Sequence, residues 1–236
     1  MSLVSEPEAD KQAYLRAINI FRDLSHAEVE ELGRRAPMRR VPAGTIFYSP
    51  DQPTEVLFIL KEGRVRLYHL SPGGRELTLA LLDEGTIFGE MALLGQRLHS
   101  NFAQAATACL LCLMSREDVK ALLLDDPRIA YRLLETVGQR LQVAERRLAD
   151  LAFRHAPERV AAELLALPRQ AGRWPGRKGA PEIACTHEEL AGLVGVYRET
   201  VTKVLNDFRQ RRLIELKRGR VVLRDLEGLR ALAEEL

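Results

Sequence analysis

From Pro127 to Phe153 the chain reads PRIAYRLLETVGQRLQVAERRLADLAF, with no proline after its first position. Apolar residues fall at Ala130, Leu134, Val137, Leu141, Ala144, Leu148 and Leu151, in steps of four and three. That is a period of about 3.5 residues, and a helix with this period carries a narrow apolar seam. A seam of this kind packs against a second helix of the same period, and the simplest source is another copy of the chain. The plain alternative is a helix lying on its own domain, which more often shows a broader stripe. The narrow, regular pattern favours a self-paired rod, with one structure in front of it and another behind.

In front, residues 10–36 read as interrupted helix, with Leu15, Ile18, Ile20, Phe21 and Leu24 apolar. Ser25 and Glu28 stand three apart, the spacing of a capping box. The style changes at Pro37. To about Leu113 the sequence gives short apolar runs, EVLFIL, RVRLYHL and ELTLALL, broken by KEG and SPGG. Val65, Leu67 and His69 alternate with Arg66, Tyr68 and Leu70, which suits a half-buried strand. Gly63, Gly73, Gly74, Gly85, Gly89 and Gly95 mark turns or close backbone approaches. Several short strands so spaced predict a small barrel or jelly roll.

Behind the rod, a helix is expected over Ala156–Leu167, with Pro157 in its first turn. The loop PRQAGRWPGRKGAP and a short strand EIAC follow. Thr186 with Glu189 forms a second capping box. THEELAGLVG then reads as a helix stopped by Gly195, and YRETVTKVLNDFRQRRL as another helix two or three residues later. This is the helix-turn-helix pattern, whose second helix enters the DNA major groove. Leu190, Ala191, Val194, Val201, Val204, Leu205 and Phe208 form its inner face. ELKRGRVVL reads as a hairpin turning at Arg218–Gly219.

Charge supports this assignment. The whole chain carries only +2, but residues 1–153 hold 19 Lys/Arg against 21 Asp/Glu and residues 154–236 hold 16 against 12. Between Arg198 and Arg224 there are nine Lys/Arg and three Asp/Glu. Arg198, Glu199, Thr202 and Lys203 point outward near the start of the second helix, with Tyr197 just before it, where base edges are read. Arg can grip guanine O6 and N7 together, and Glu can accept from cytosine N4. Thr186, Thr200, Arg209, Arg218 and Arg220 are placed at phosphates, which position a protein without reading sequence. Glu199 could instead complement its helix dipole, and Arg209, Arg211 and Arg212 could be a solvated face.

Other classes lack their residues. No apolar run approaches the ~20 residues that span a bilayer. The start, MSLVSEPEADKQAY, is polar and acidic, unlike a signal or transit peptide. With three Cys and no disulfide scaffold, a reducing cytoplasm is the expected location. Cys109 and Cys112 have CxxC spacing, but on a strand residues three apart face opposite sides, so both are expected to pack. The histidines form neither H-x-H nor H-E-x-x-H, and no P-loop or G-x-S-x-G occurs. Neither a metal site nor a catalytic residue is expected, which disfavours a β-roll enzyme. A sensor module without a DNA role is disfavoured by the basic helix-turn-helix.

The order of parts, with FGEMALLG at Phe88–Gly95, RLQVAERRLADLAF at Arg140–Phe153 and GVYRETVTKVL at Gly195–Leu205, resembles the catabolite activator/FNR (CRP/FNR) family of bacterial transcription regulators. The resemblance covers roughly residues 15–232. It implies an α+β chain: an N-terminal β-roll of the cyclic-nucleotide-binding type (1–126), a dimerisation helix (127–153) and a C-terminal winged helix-turn-helix (154–236). It implies a homodimer on a palindromic DNA duplex, with RNA polymerase as a further partner and a hinge near Asp150–Phe153. The base-touching roles of the family's recognition helix fall on Arg198, Glu199 and Lys203, the last more often Arg in the family. In cyclic-nucleotide-binding members a Phe-Gly-Glu turn holds the phosphate and ribose, which places Gly89, Glu90, Met91 and Ala92 at the effector. Those members have Arg-Ser or Arg-Thr where this chain has His99-Ser100, and the cyclic AMP receptor has Thr-Ser at Ala144 and Glu145. The effector is therefore expected to be cyclic AMP held without those contacts, another small anion met by Arg146 and Arg147, or none, with the turn kept as structure.

Overall fold

In the computed structural model the glycine-punctuated stretch after Pro37 forms two antiparallel sheets. One is five-stranded, in the order β1 (Ser2–Leu3), β2 (Met38–Val41), β9 (Cys109–Ser115), β4 (Val56–Glu62), β7 (Ile87–Phe88). The other is four-stranded, in the order β3 (Ile46–Tyr48), β8 (Asn101–Ala105), β5 (Val65–Leu70), β6 (Glu76–Leu82). The structure describes residues 2–3, 14–15, 18–22, 24–52, 54–89, 101–170 and 180–234. It divides into two compact units, Met1–Arg75 with Leu79–Leu141, and Glu76–Thr78 with Gln142–Leu236.

Strand β9 is the spine of the first unit. It pairs with β2 on one side, Cys112 opposite Met38, and with β4 on the other, Phe58 opposite Leu113. Its side chains alternate between two cores. Cys109 and Leu111 join Val41, Phe58, Leu60, Phe88 and Ala103 in the cluster between the sheets. Leu110, Cys112 and Met114 join Phe21, Val29, Leu32 and Val119 on the outer face. The two cysteines therefore face opposite ways, as the strand period requires. Cys109 Sγ lies 3.4 Å from the Arg64 carbonyl and 3.3 Å from that of Thr107, and burial pushes its thiol pKa up.

Helices close the outer face. Helix α1 (His26–Arg35) carries the expected capping box: Ser25 Oγ accepts from Glu28 N, and Glu28 accepts from Ser25 N at 2.6 Å. Helix α2 (Arg116–Asp125) is capped by Ser115, whose Oγ accepts from Asp118 N at 3.1 Å. Strand β5 departs from its sequence pattern at one point. Tyr68 lies on the face opposite Val65, yet it is only 6% exposed. Its ring stacks on Phe102 at 5.0 Å, and the Arg66 guanidinium sits 4.2 Å from its centroid.

Helix α3 spans Pro127–Phe153 without a break. Asp126 heads it: its carboxylate accepts from Arg128 N at 2.9 Å and from the Arg128 side chain at 2.7–3.1 Å. That side-chain bond is the main reason the Asp126 pKa is held below the usual carboxylate range. Ile129 is fully buried. Among the described residues no helix is long and apolar enough to cross a membrane.

The second unit begins with the end of α3 and α4 (Ala156–Gln170). The expectation that α4 ends at Leu167 needs correction, because the helix takes Pro168 into its last turn. A proline there forfeits the helical bond to the Leu164 carbonyl, a cost confined to the last turn. Strand β10 (Glu182–Ala184), α5 (His187–Val194), α6 (Arg198–Gln210), β11 (Ile214–Lys217), β12 (Arg220–Leu223) and α7 (Leu226–Glu234) complete the unit. The three strands lie in the order β10, β12, β11. Their apolar faces share one core with Val160, Leu164, Leu190, Val201, Leu205, Phe208 and Leu229.

Candidate nucleic-acid interface and effector turn

The Thr186 box fixes where α5 starts: Thr186 Oγ1 accepts from Glu189 N at 3.1 Å, and Glu189 accepts from Thr186 N at 2.7 Å. Gly195 ends the helix with φ of 69°, a left-handed cap conformation that a side chain would disfavour. Val196 and Tyr197 then lead directly into α6. Leu190, Ala191, Val194, Val201, Val204, Leu205 and Phe208 are all buried. With those faces locked inward, one edge of α6 must point out.

That edge carries most of the expected readers. The Arg198 side chain is 65% exposed, its Nε 4.0 Å from the Glu188 carboxylate. Glu199 and Lys203 are exposed, and Tyr197 is 63% exposed at the start of α6, making no capping bond. Thr200 and Thr202 are half-buried. Thr202 is engaged, because its Oγ1 lies 3.0 Å from His187 Nδ1. Sequence reasoning missed His187; its only local signal is a polar side chain directly after a helix cap.

Around this edge the cations differ in their freedom. Arg209 and Arg218 are exposed and have no acidic partner among the described residues. Arg218 sits at the hairpin tip beside Gly219, between the paired Lys217 and Arg220. Arg220 shares its charge with Glu182 at 3.3 Å, and Arg211 with Asp207 at 3.6 Å. Arg224 bonds Glu215 and holds that carboxyl below its ordinary pKa. Thr186 is exposed on the same side as the start of α5. A surface of free and half-paired cations around an exposed helix edge suits a polyanion that also presents hydrogen-bonding edges.

Of the expected effector residues, Gly89 is described, and Glu90, Met91, Ala92, His99 and Ser100 lie outside the described residues. Gly89 has φ of 85°, and a Cβ there would sit 2.4 Å from the Val56 carbonyl, so only glycine fits. Beneath it Phe88 stacks on Phe58 at 4.8 Å and meets Phe47 edge-on at 5.1 Å. Arg140 of α3 donates to the Ile87 carbonyl just before this turn. Ala144 and Glu145 are exposed on α3. Arg146 and Arg147, one of the expected meeting places for an anionic effector, both reach the buried carboxylate of Glu163 on α4, Arg147 Nη2 at 2.7 Å and Arg146 Nη2 at 3.4 Å. An internal carboxylate already supplies their counter-charge. Among the described residues no group of His, Cys, Asp and Glu could hold a metal ion.

A two-sheet roll, a long helix and a helix-turn-helix followed by a β-hairpin are the parts of a DNA-binding regulator. Residues 38–126 match the cyclic nucleotide-binding domain and residues 158–232 the Crp-like helix-turn-helix domain. The chain is 36% identical to the cyclic AMP receptor protein of Thermus thermophilus, over 92% of this chain and 95% of that protein. It is 31% identical to a CRP-like cAMP-activated global transcriptional regulator of Mycobacterium tuberculosis, over 91% of this chain and 96% of that one. Among solved structures, a CRP/FNR-family transcriptional regulator from Thermus thermophilus matches with a TM-score of 0.65 and 35% identity, over 84% of this chain and 98% of its own. The chain belongs to the CRP/FNR family of transcription regulators. The Mycobacterium tuberculosis relative and the solved structure are named as transcriptional regulators.

Proposed function

We propose that this regulator acts as a homodimer paired along α3, and that it grips a palindromic DNA site with two copies of α6. The observation that carries the reading is the α3 seam. In the single chain Leu134 is 68% exposed, Leu141 59%, Leu148 69% and Leu151 46%. Ala144 is exposed, and Ala130 and Val137 are half-buried. A row of leucines on a regular 3.5 period has no reason to face water unless another seam covers it. Two α6 helices held ~34 Å apart would enter successive major grooves on one face of the duplex. Arg198, Glu199, Thr202, Lys203 and Tyr197 read bases, while Thr186, Thr200, Arg209, Arg218 and Arg220 meet the backbone. In this division residues 1–126 sense, 127–153 pair and 154–236 bind DNA. RNA polymerase is the protein partner the family implies. Cyclic AMP is the first effector to titrate, because two relatives carry it in their names; His99 and Ala144 are where this chain departs from cyclic-AMP-binding members.

The Leu148→Glu variant tests the dimer. Burying a leucine is worth about 1.5–3 kcal/mol, and the symmetric seam loses it twice. The expected result is a monomer by sedimentation at concentrations where the parent is dimeric. Affinity for a palindromic site selected by the parent should fall about a hundredfold or more. An unchanged dimer with unchanged DNA affinity refutes the pairing.

A further inference from the structure

The contact between His187 and Thr202 joins the first turn of α5 to the second turn of α6, on the edge where bases are read. Both residues are half-buried, and Nδ1 to Oγ1 is 3.0 Å. A threonine hydroxyl has one proton and two lone pairs, and an imidazole nitrogen either carries a proton or accepts one. The two are therefore complementary. If Nδ1 is bare, Thr202 spends its only proton on the ring and presents lone pairs outward. If Nδ1 carries a proton, Thr202 accepts it and keeps its own proton to donate.

We infer that His187 is a positioning residue whose Nδ1 sets whether Thr202 offers the DNA an acceptor or a donor, and so which base it prefers. The inference rests on the reading of α6 as the base-contacting helix. An outward acceptor matches the amino groups of adenine N6 and cytosine N4; an outward donor matches guanine O6 and N7 or thymine O4. The first helix of the motif crosses the DNA backbone. A phosphate there favours a proton on Nε2, which leaves Nδ1 bare in the neutral ring. Thr202 then selects adenine or cytosine.

The test is selection from a randomised duplex library with the intact parent and its variants. In the parent one base position should favour adenine or cytosine. Thr202→Val should flatten that position, and His187→Phe, which frees the threonine proton, should admit guanine or thymine there, with other positions unchanged. A His187→Phe variant that keeps the parent's preference overturns the inference. So does a His187→Phe variant, folded by circular dichroism, that weakens all sequences equally. Arg198→Ala separates the two layers. If it relaxes a different position while Thr202→Val relaxes none, only the His187 inference fails; if it also relaxes none, base reading by α6 fails.

Discussion

Replacing Glu163 with glutamine should weaken the second unit out of proportion to the size of the change. The Glu163 side chain is 4% exposed and receives two guanidinium groups from α3, Arg147 at 15% exposure and Arg146 at 37%. Arg147 makes the short bond, 2.7 Å from Nη2, supported by Nε at 3.4 Å. A hydrogen bond to a charged group is worth about 1.5–3 kcal/mol. The Arg146 contact is longer and more solvated, so it adds about 0–1 kcal/mol. Glutamine keeps the shape but removes the charge, leaving Arg147 nearly buried beside a neutral amide. The expected loss is about 2–3 kcal/mol, rising to about 3–5 kcal/mol for Glu163→Ala, which removes the acceptor as well as the charge. Urea denaturation reads this as a fall in midpoint of about 1 M, with m in the ordinary range of about 1–3 kcal/mol per M. A double-mutant cycle isolates the pair: in an Arg147→Met background, Glu163→Gln should cost little or even stabilise, giving a coupling of about 2 kcal/mol. A Glu163→Gln loss under about 0.5 kcal/mol, or no coupling in the cycle, would show that the carboxylate is not held as described.

Arg218→Ala should weaken binding to every DNA sequence alike and lower the salt slope by about 1, because its exposed charge at the hairpin tip has no acidic partner among the described residues. Arg220→Ala should do less, since Glu182 already takes part of its charge; titrations over a salt series compare the two. Asp126→Ala should cost about 1 kcal/mol at neutral pH, the usual worth of a helix-start acceptor. Because folding lowers the Asp126 pKa, its stabilisation is complete above the unfolded value and disappears as pH falls through the folded one. Melting curves across the acid range should show the parent losing this margin and the variant having none to lose.

Much of the site was legible because its determinants are local. Both capping boxes depend on residues three apart, and both form. The inner face of the helix-turn-helix follows from period alone, and the α3 seam from the same arithmetic over three heptads. Contacts between distant segments left no such trace. Nothing near Arg146 or Arg147 announces Glu163, which arrives from the next helix. Tyr68 shares its strand face with Arg66 and Leu70, and its burial comes from Phe102 on β8. Helical period alone turns Thr202 outward, and only the fold brings His187 beside it.

The two-sided core around β9 has a consequence for how the roll assembles. Most strands learn their register from alternation, because a slip of one residue would turn oily groups to water. In Cys109–Met114 both faces are equally greasy, so a shifted alignment would bury nearly as much. The information must come from the ends: Ser115, committed to capping α2, and the irregular step between Leu60 and Glu62 on the neighbouring strand. The strand is threaded like a smooth rod between two stops, and damage to either stop would be felt as mispairing along its whole length.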